Sequence, residues 1–121
     1  MFTSVIRYTL TADNRAAFRD YARAWIALIE HYGGTHHGYF VPPEPGDPAV
    51  PSPTFSFPGL GRDAPPGIAY ALFSFPDIAA YERYRTEVAA DPGCVDATAR
   101  FHATPSFASY ERSFLIPIFG D

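Results

Sequence analysis

The residues best suited to chemistry lie in one short run, Gly33-Gly34-Thr35-His36-His37-Gly38-Tyr39-Phe40, which holds two of the chain's four histidines. Histidine titrates near neutrality, so it serves as a metal ligand, a general base or a hydrogen-bond donor. If the run is a strand, neighbouring side chains point to opposite faces, and His36 and His37 do not share one metal. A mononuclear site would need further ligands. His31, His102 and the scattered carboxylates have no recognisable ligand spacing, so no metal is expected. Two roles remain: one histidine packs or hydrogen-bonds beneath helices, and the other reaches a cavity as a base or donor.

The elements that must hold this run can be read from periodicity. Residues 2–10 alternate, with Ile6, Tyr8 and Leu10 on one face and Val5, Arg7 and Thr9 on the other, and form a first strand. Thr11 or Asp13 then caps a helix in which Phe18, Tyr21, Ala22, Trp25, Leu28, Ile29 and Tyr32 recur at helical spacing, until Gly33 and Gly34 stop it. Thr35 to Val41 reads as a second strand that ends at Pro42 and Pro43, which cannot donate to a ladder. Residues 42–66 contain nine of the thirteen prolines and form a long loop inserted in a single 1–121 domain, with Phe55 and Phe57 as its expected apolar anchors. Residues 67–75 read as a third, largely apolar strand. A second helix opens at Pro76-Asp77 with Ile78, Tyr81, Tyr84, Arg85 and Val88 on one side, and a third runs from Asp91-Pro92 to about Phe101. Ser106 to Ile118 reads as the last strand.

The order β-α-β, loop, β-α-(α)-β is that of a ferredoxin-like βαββαβ α+β sandwich. Helices cover one face of such a sheet. The other face, expected to carry Val5 and Phe73, needs a cover, and sheet-to-sheet homodimerisation supplies one. The apolar run Phe114-Leu115-Ile116-Pro117-Ile118-Phe119 supports pairing, since an apolar edge on a monomer invites aggregation. In this topology the first strand lies between the third and fourth. Arg7 therefore meets Glu111 or the serines of the fourth strand, either in a structural ion pair or as an anion-binding cation in a cavity. Tyr39, Tyr70 and Tyr110 suit a cavity wall or an interface, Trp25 falls in the core series, and Cys94, without a neighbouring base, is an inert thiol.

Composition narrows the function. Net charge is −4 and the nine basic residues, all arginine, are scattered, which argues against nucleic acid or anionic lipid as partner. No apolar run reaches membrane-spanning length, and the N-terminal segment alternates like a strand instead of forming a signal sequence, so a cytoplasmic location is expected. GxGxxG, P-loop, GxSxG and HExxH motifs are missing, and no cofactor is expected.

Several segments together resemble the NIPSNAP family in its bacterial form. They are the Gly33 to Phe40 run, Ala71-Leu72-Phe73-Ser74-Phe75, Ala80-Tyr81-Glu82-Arg83-Tyr84-Arg85, Asp91-Pro92 and Tyr110-Glu111-Arg112-Ser113-Phe114-Leu115. The resemblance spans nearly all of the chain outside the Pro-rich loop, which itself departs from the family pattern, as does Ile116 in place of a basic residue. It implies a dimeric α+β barrel of two ferredoxin-like subunits around a cavity, with no agreed activity. It also inclines the reading toward His36 as the barrel-facing histidine. The pocket candidates are Arg7, His36, His37, Tyr39, Phe73, Tyr110 and Glu111. Three functions follow as expectations: holding a small apolar or aromatic ligand; cofactor-independent oxygenation or isomerisation with His36 or His37 as base and Arg7 on the oxyanion; or scaffolding of a protein partner.

Overall fold

The computed structural model describes residues 1–11, 14–51, 61 and 63–120. Its elements run β1 (Phe2–Leu10), α1 (Arg15–His31), β2 (Thr35–Phe40), β3 (Ile68–Phe75), α2 (Ile78–Val88), α3 (Pro92–Ala103) and β4 (Phe107–Leu115). The strands make one antiparallel sheet in the order β2-β3-β1-β4, the ferredoxin-like α+β arrangement expected from the sequence.

Pairing sorts side chains onto two faces. Ser4 lies opposite Phe73 and Phe114, Ile6 opposite Ala71 and Arg112, and Tyr8 opposite Ala69 and Tyr110, all on the helix side. Val5 opposite Leu72 and Ser113, and Arg7 opposite Tyr70 and Glu111, occupy the open side. Phe73 therefore belongs under the helices and not on the open face: it is 3% exposed, and its neighbours Leu72 and Ser74 take the open positions.

The core is the layer between this face and the helices. α1 buries Phe18, Ala22, Leu28 and Ile29, with Tyr21 and Trp25 partly buried beside them. α2 buries Ala80, Tyr84 and Val88, while Ile78, expected on the same side, is 68% exposed because it opens the first turn away from the sheet. Asp77 caps α2 by accepting from Ala80 N–H at 2.7 Å, and Asp91 caps α3 by accepting from Gly93 N–H at 2.7 Å.

The start of α1 differs from expectation. Asn14 occupies the cap position and makes no capping bond, and Asp13 lies outside the described residues. The Thr11 hydroxyl donates instead to the Pro105 carbonyl at 2.8 Å, and the Asn14 amide donates to the same oxygen at 3.0 Å. Both side chains thus tie the end of β1 to the approach to β4. The Tyr32 hydroxyl, at the other end of α1, donates to Asp91 at 2.6 Å and links it to α3.

The last strand is also shorter than expected. β4 stops at Leu115, opposite Thr3 and one residue from the start of β1, and Pro117 just beyond cannot donate to continue the ladder. In the Pro-rich segment, Arg15 donates to the Pro42 carbonyl at 2.6 Å and pairs with Glu44 at 3.2 Å, which fastens the first part of the loop to α1. The expected anchors Phe55 and Phe57 lie outside the described residues.

Candidate functional site

β2 does not alternate cleanly. His36 pairs with Phe73, but Gly38 pairs with Leu72 and Tyr39 with Ala71, so one extra residue is inserted at His37-Gly38. Gly38 has φ of +111°, a conformation glycine adopts without the penalty a Cβ would bring. The bulge is closed by the Gly38 N–H donating to His36 Nδ1 at 2.8 Å.

The bulge decides who faces whom. Without it, Tyr39 would share a face with His37. With it, Tyr39 turns to the helix side and stacks on His36, ring centroids 5.0 Å apart and planes 12° from parallel. His37 stays exposed on the open side, its Nε2 within 2.7 Å of Ser74 Oγ, which in turn lies 2.7 Å from Thr3 Oγ1. The two histidines are therefore split between environments as alternation requires, but the inclination toward His36 as the barrel-facing one is reversed.

His36 is held neutral. Burial lowers its pKa from 6.5 to about 4, against the opposing pull of Glu30. Because Nδ1 accepts from Gly38, the proton of the neutral ring is on Nε2, a buried atom with no hydrogen-bond partner.

Between the helices and the sheet lies a half-open pocket of about 180 Å³. Its helical wall is a single stripe of α1 at four-residue spacing, Tyr21, Trp25 and Ile29, joined by Tyr84 and Arg85 of α2. Its floor is set by strand parity: Ile6 and Tyr8 from β1, Tyr39 and Phe73 from β2 and β3, Tyr110 and Arg112 from β4. β4 is exposed along its whole length after Phe107, so the pocket opens there, past Tyr110 and Arg112.

Rings pack closely around Tyr8. It stacks on Tyr39 at 6.0 Å and meets Phe18 and Phe107 edge-on at 5.2 and 4.8 Å. Burial raises the phenols of Tyr8, Tyr21, Tyr39 and Tyr84 above their ordinary range, so at neutral pH all four are protonated donors. The Arg112 guanidinium, 5.6 Å over the Tyr110 ring, is close enough to pull Tyr8, Tyr21 and Tyr84 partway back. Trp25 adds a buried indole N–H with no partner.

Of the expected pocket residues, the structure brings Tyr39, Phe73 and Tyr110 to this lining, with His36 one ring behind Tyr39. Arg7, Glu111 and His37 are on the opposite face. Arg7 and Glu111 sit directly across from each other but do not close an ion pair; among the described residues the ion pairs are Arg15 with Glu44 and Arg100 with Asp96. Both side chains are exposed, and water competes for them. Of the two histidines considered as an oxygenase base beside Arg7, His36 lies on the face opposite Arg7, whereas His37 shares the open face with it. Sequence reasoning missed Tyr8, Tyr21, Tyr84, Arg85 and Arg112. The signal was available for the last: placing Glu111 across from Arg7 puts Arg112 across from Ile6 on the helix face.

Among the described residues no group of three His, Cys, Asp or Glu is placed to hold a metal ion, and no helix is long and apolar enough to cross a membrane.

No protein-family model matches the sequence, and no curated protein matches it. Solved structures do. An uncharacterised NIPSNAP domain protein from Burkholderia xenovorans shares 18% identity over 98% of this chain and 95% of its own, with a TM-score of 0.68. A NIPSNAP family protein of unknown function from Agrobacterium tumefaciens shares 15% over 97% and 87%, TM-score 0.68. A candidate antibiotic biosynthesis monooxygenase from Nitrosomonas europaea shares 8% over 98% and 100%, TM-score 0.60. The ferredoxin-like α+β fold that the NIPSNAP resemblance implies for the subunit is the fold observed.

Proposed function

We propose that the chain is a NIPSNAP-type protein that pairs sheet to sheet as a homodimeric α+β barrel and holds a small, single-ring aromatic ligand in the pocket of each subunit. The observation that carries this reading is the pocket itself: five tyrosines, Trp25 and Phe73 around a space that opens at one strand. Its volume sets the size class. An engineered apolar cavity of about 150 Å³ takes a benzene, whereas drug-sized ligands occupy roughly 300 Å³ or more. A space of about 180 Å³ suits one ring with a small substituent.

Holding a ligand fits this lining better than base catalysis. The phenols pushed up by burial donate protons in hydrogen bonds but do not remove them, and arginine is charged at any physiological pH. Homodimerisation is supported by the open face, where Phe40, Tyr70 and Leu115 are 52%, 40% and 53% exposed.

Trp25 is the chain's one tryptophan and lines the pocket, so its emission reports occupancy directly. Titration with a panel of single-ring phenols and benzyl alcohols is expected to change that emission saturably. A two-ring naphthyl analogue of each, too large for the space, is expected to leave it unchanged. Emission that stays flat through millimolar concentrations of the one-ring panel sinks the proposal.

A further inference from the structure

The polar groups of the pocket are unbalanced, and the imbalance says what the ligand carries. Among the described residues its only charged linings are cations, Arg85 on α2 and Arg112 on β4, and no carboxylate or imidazole lines it. The neutral polar groups are phenols and the indole of Trp25, whose buried N–H has no acceptor. An unpaired buried donor costs free energy, and a ligand that accepts from it recovers that cost. Arg112 lies on β4, the exposed side of the pocket, while Phe73 and Ile6 are buried in its floor. A ligand that lays its ring inward and its acceptor outward satisfies both ends.

We infer that the pocket selects an aromatic carboxylate, with Arg112 as the residue that sets the preference for the anion. This rests on the aromatic-pocket reading above and goes beyond it by giving the charge of the ligand. Arginine offers two parallel N–H donors that match the two oxygens of a carboxylate, a geometry neither lysine nor a phenol reproduces. The raised phenols of Tyr21 and Tyr84 remain donors at neutral pH and do not repel the anion. Arg85 adds a second positive charge without a competing acid in the lining.

The test pairs benzoate with benzamide, a neutral probe of nearly the same shape, and follows Trp25 emission in the wild type, Arg112→Met and Arg112→Lys. Wild type is expected to bind benzoate about tenfold tighter than benzamide, in line with a partly solvated charge-assisted contact. Arg112→Met is expected to erase the preference, so that benzoate and benzamide bind about equally, and a circular dichroism spectrum and melt like the wild type's show that the variant is folded. Arg112→Lys should recover part of the preference, and raising salt should weaken benzoate alone. Benzamide binding as tightly as benzoate in the wild type overturns the inference and leaves the aromatic pocket standing. An anion preference that survives Arg112→Met also overturns it. If neither probe changes the emission, the pocket reading falls and takes this inference with it.

Discussion

Gly38→Ala tests the bulge on which the pocket depends. An added Cβ has room, since the nearest atom it would meet is Phe40 Cζ at 3.7 Å. The cost is conformational. At φ of +111° an L-residue is strained, beyond even the left-handed helical well near +57°. Strain of this kind costs about 1–3 kcal/mol, and the lower entropy of unfolded alanine returns about 0.5, so a net loss of roughly 2 kcal/mol is expected. For a domain of this size that is a fall in Tm of roughly 6–10 °C. Thermal unfolding by circular dichroism reads it. Gly38→Asn is larger but tolerates positive φ better, and is expected to melt above Gly38→Ala. A fall of less than about 2 °C for the alanine variant, or an asparagine variant that melts lower, would refute the conformational argument. The His36 ring protons supply a second readout by NMR. They lie against Tyr39 in the stack, and they lose that ring-current shift if the strand relieves strain by closing the bulge and turning Tyr39 to the open face.

Three further outcomes follow. His36 has a folded pKa of about 4 against 6.5, so between those values the unfolded chain binds more protons and stability falls as pH drops; protonation also removes the Nδ1 acceptor of Gly38. His36→Asn keeps an acceptor and does not titrate, so denaturant midpoints for it should vary less from pH 6.5 to 4, and an acid slope equal to the wild type's would contradict this. The Tyr32 hydroxyl, with the Gly93 N–H, holds the Asp91 carboxyl below its ordinary range, and Asp91 in turn raises the Tyr32 phenol to about 12. Tyr32→Phe should move the Asp91 carboxyl titration upward by NMR, and no movement would remove the link between α1 and α3. Leu72→Glu places a charge on the open face; mass in solution at micromolar protein should shift from dimer to monomer with the melt nearly unchanged in the dissociated species, and a wild type that is already monomeric defeats the sheet-pairing proposal.

Much of the architecture was legible because it rests on periodicity and punctuation. Alternation placed Ile6 and Tyr8 opposite Arg7, four-residue spacing in α1 placed Trp25 in line with Tyr21 and Ile29, and Asp77 and Asp91 marked two helix starts that the backbone uses. The strand order brought Arg7 against Glu111 as expected. Gly34 was legible as a helix stop but not as a packing site. A Cβ there would lie 2.6 Å from Ile29 Cγ2 and 2.8 Å from Phe75 Cζ, a closeness only the folded chain creates.

The sequence by itself determined which residues are apolar, which are charged and at what spacing they recur, and that suffices for elements, topology and the two faces of β1. Only the tertiary structure decided which face each residue of β2 and β3 takes. Side-chain parity in a strand is a two-way choice, and a single inserted residue reverses it for everything beyond. Gly38 inserts that residue, so Tyr39 and His36 meet on the helix side and His37 is left on the open one. On β4 the parity was already fixed by the expected pairing of Glu111 with Arg7, which puts Arg112 on the helix side, but that the helix side holds the pocket is decided only by the packing of α1 and α2 over the sheet.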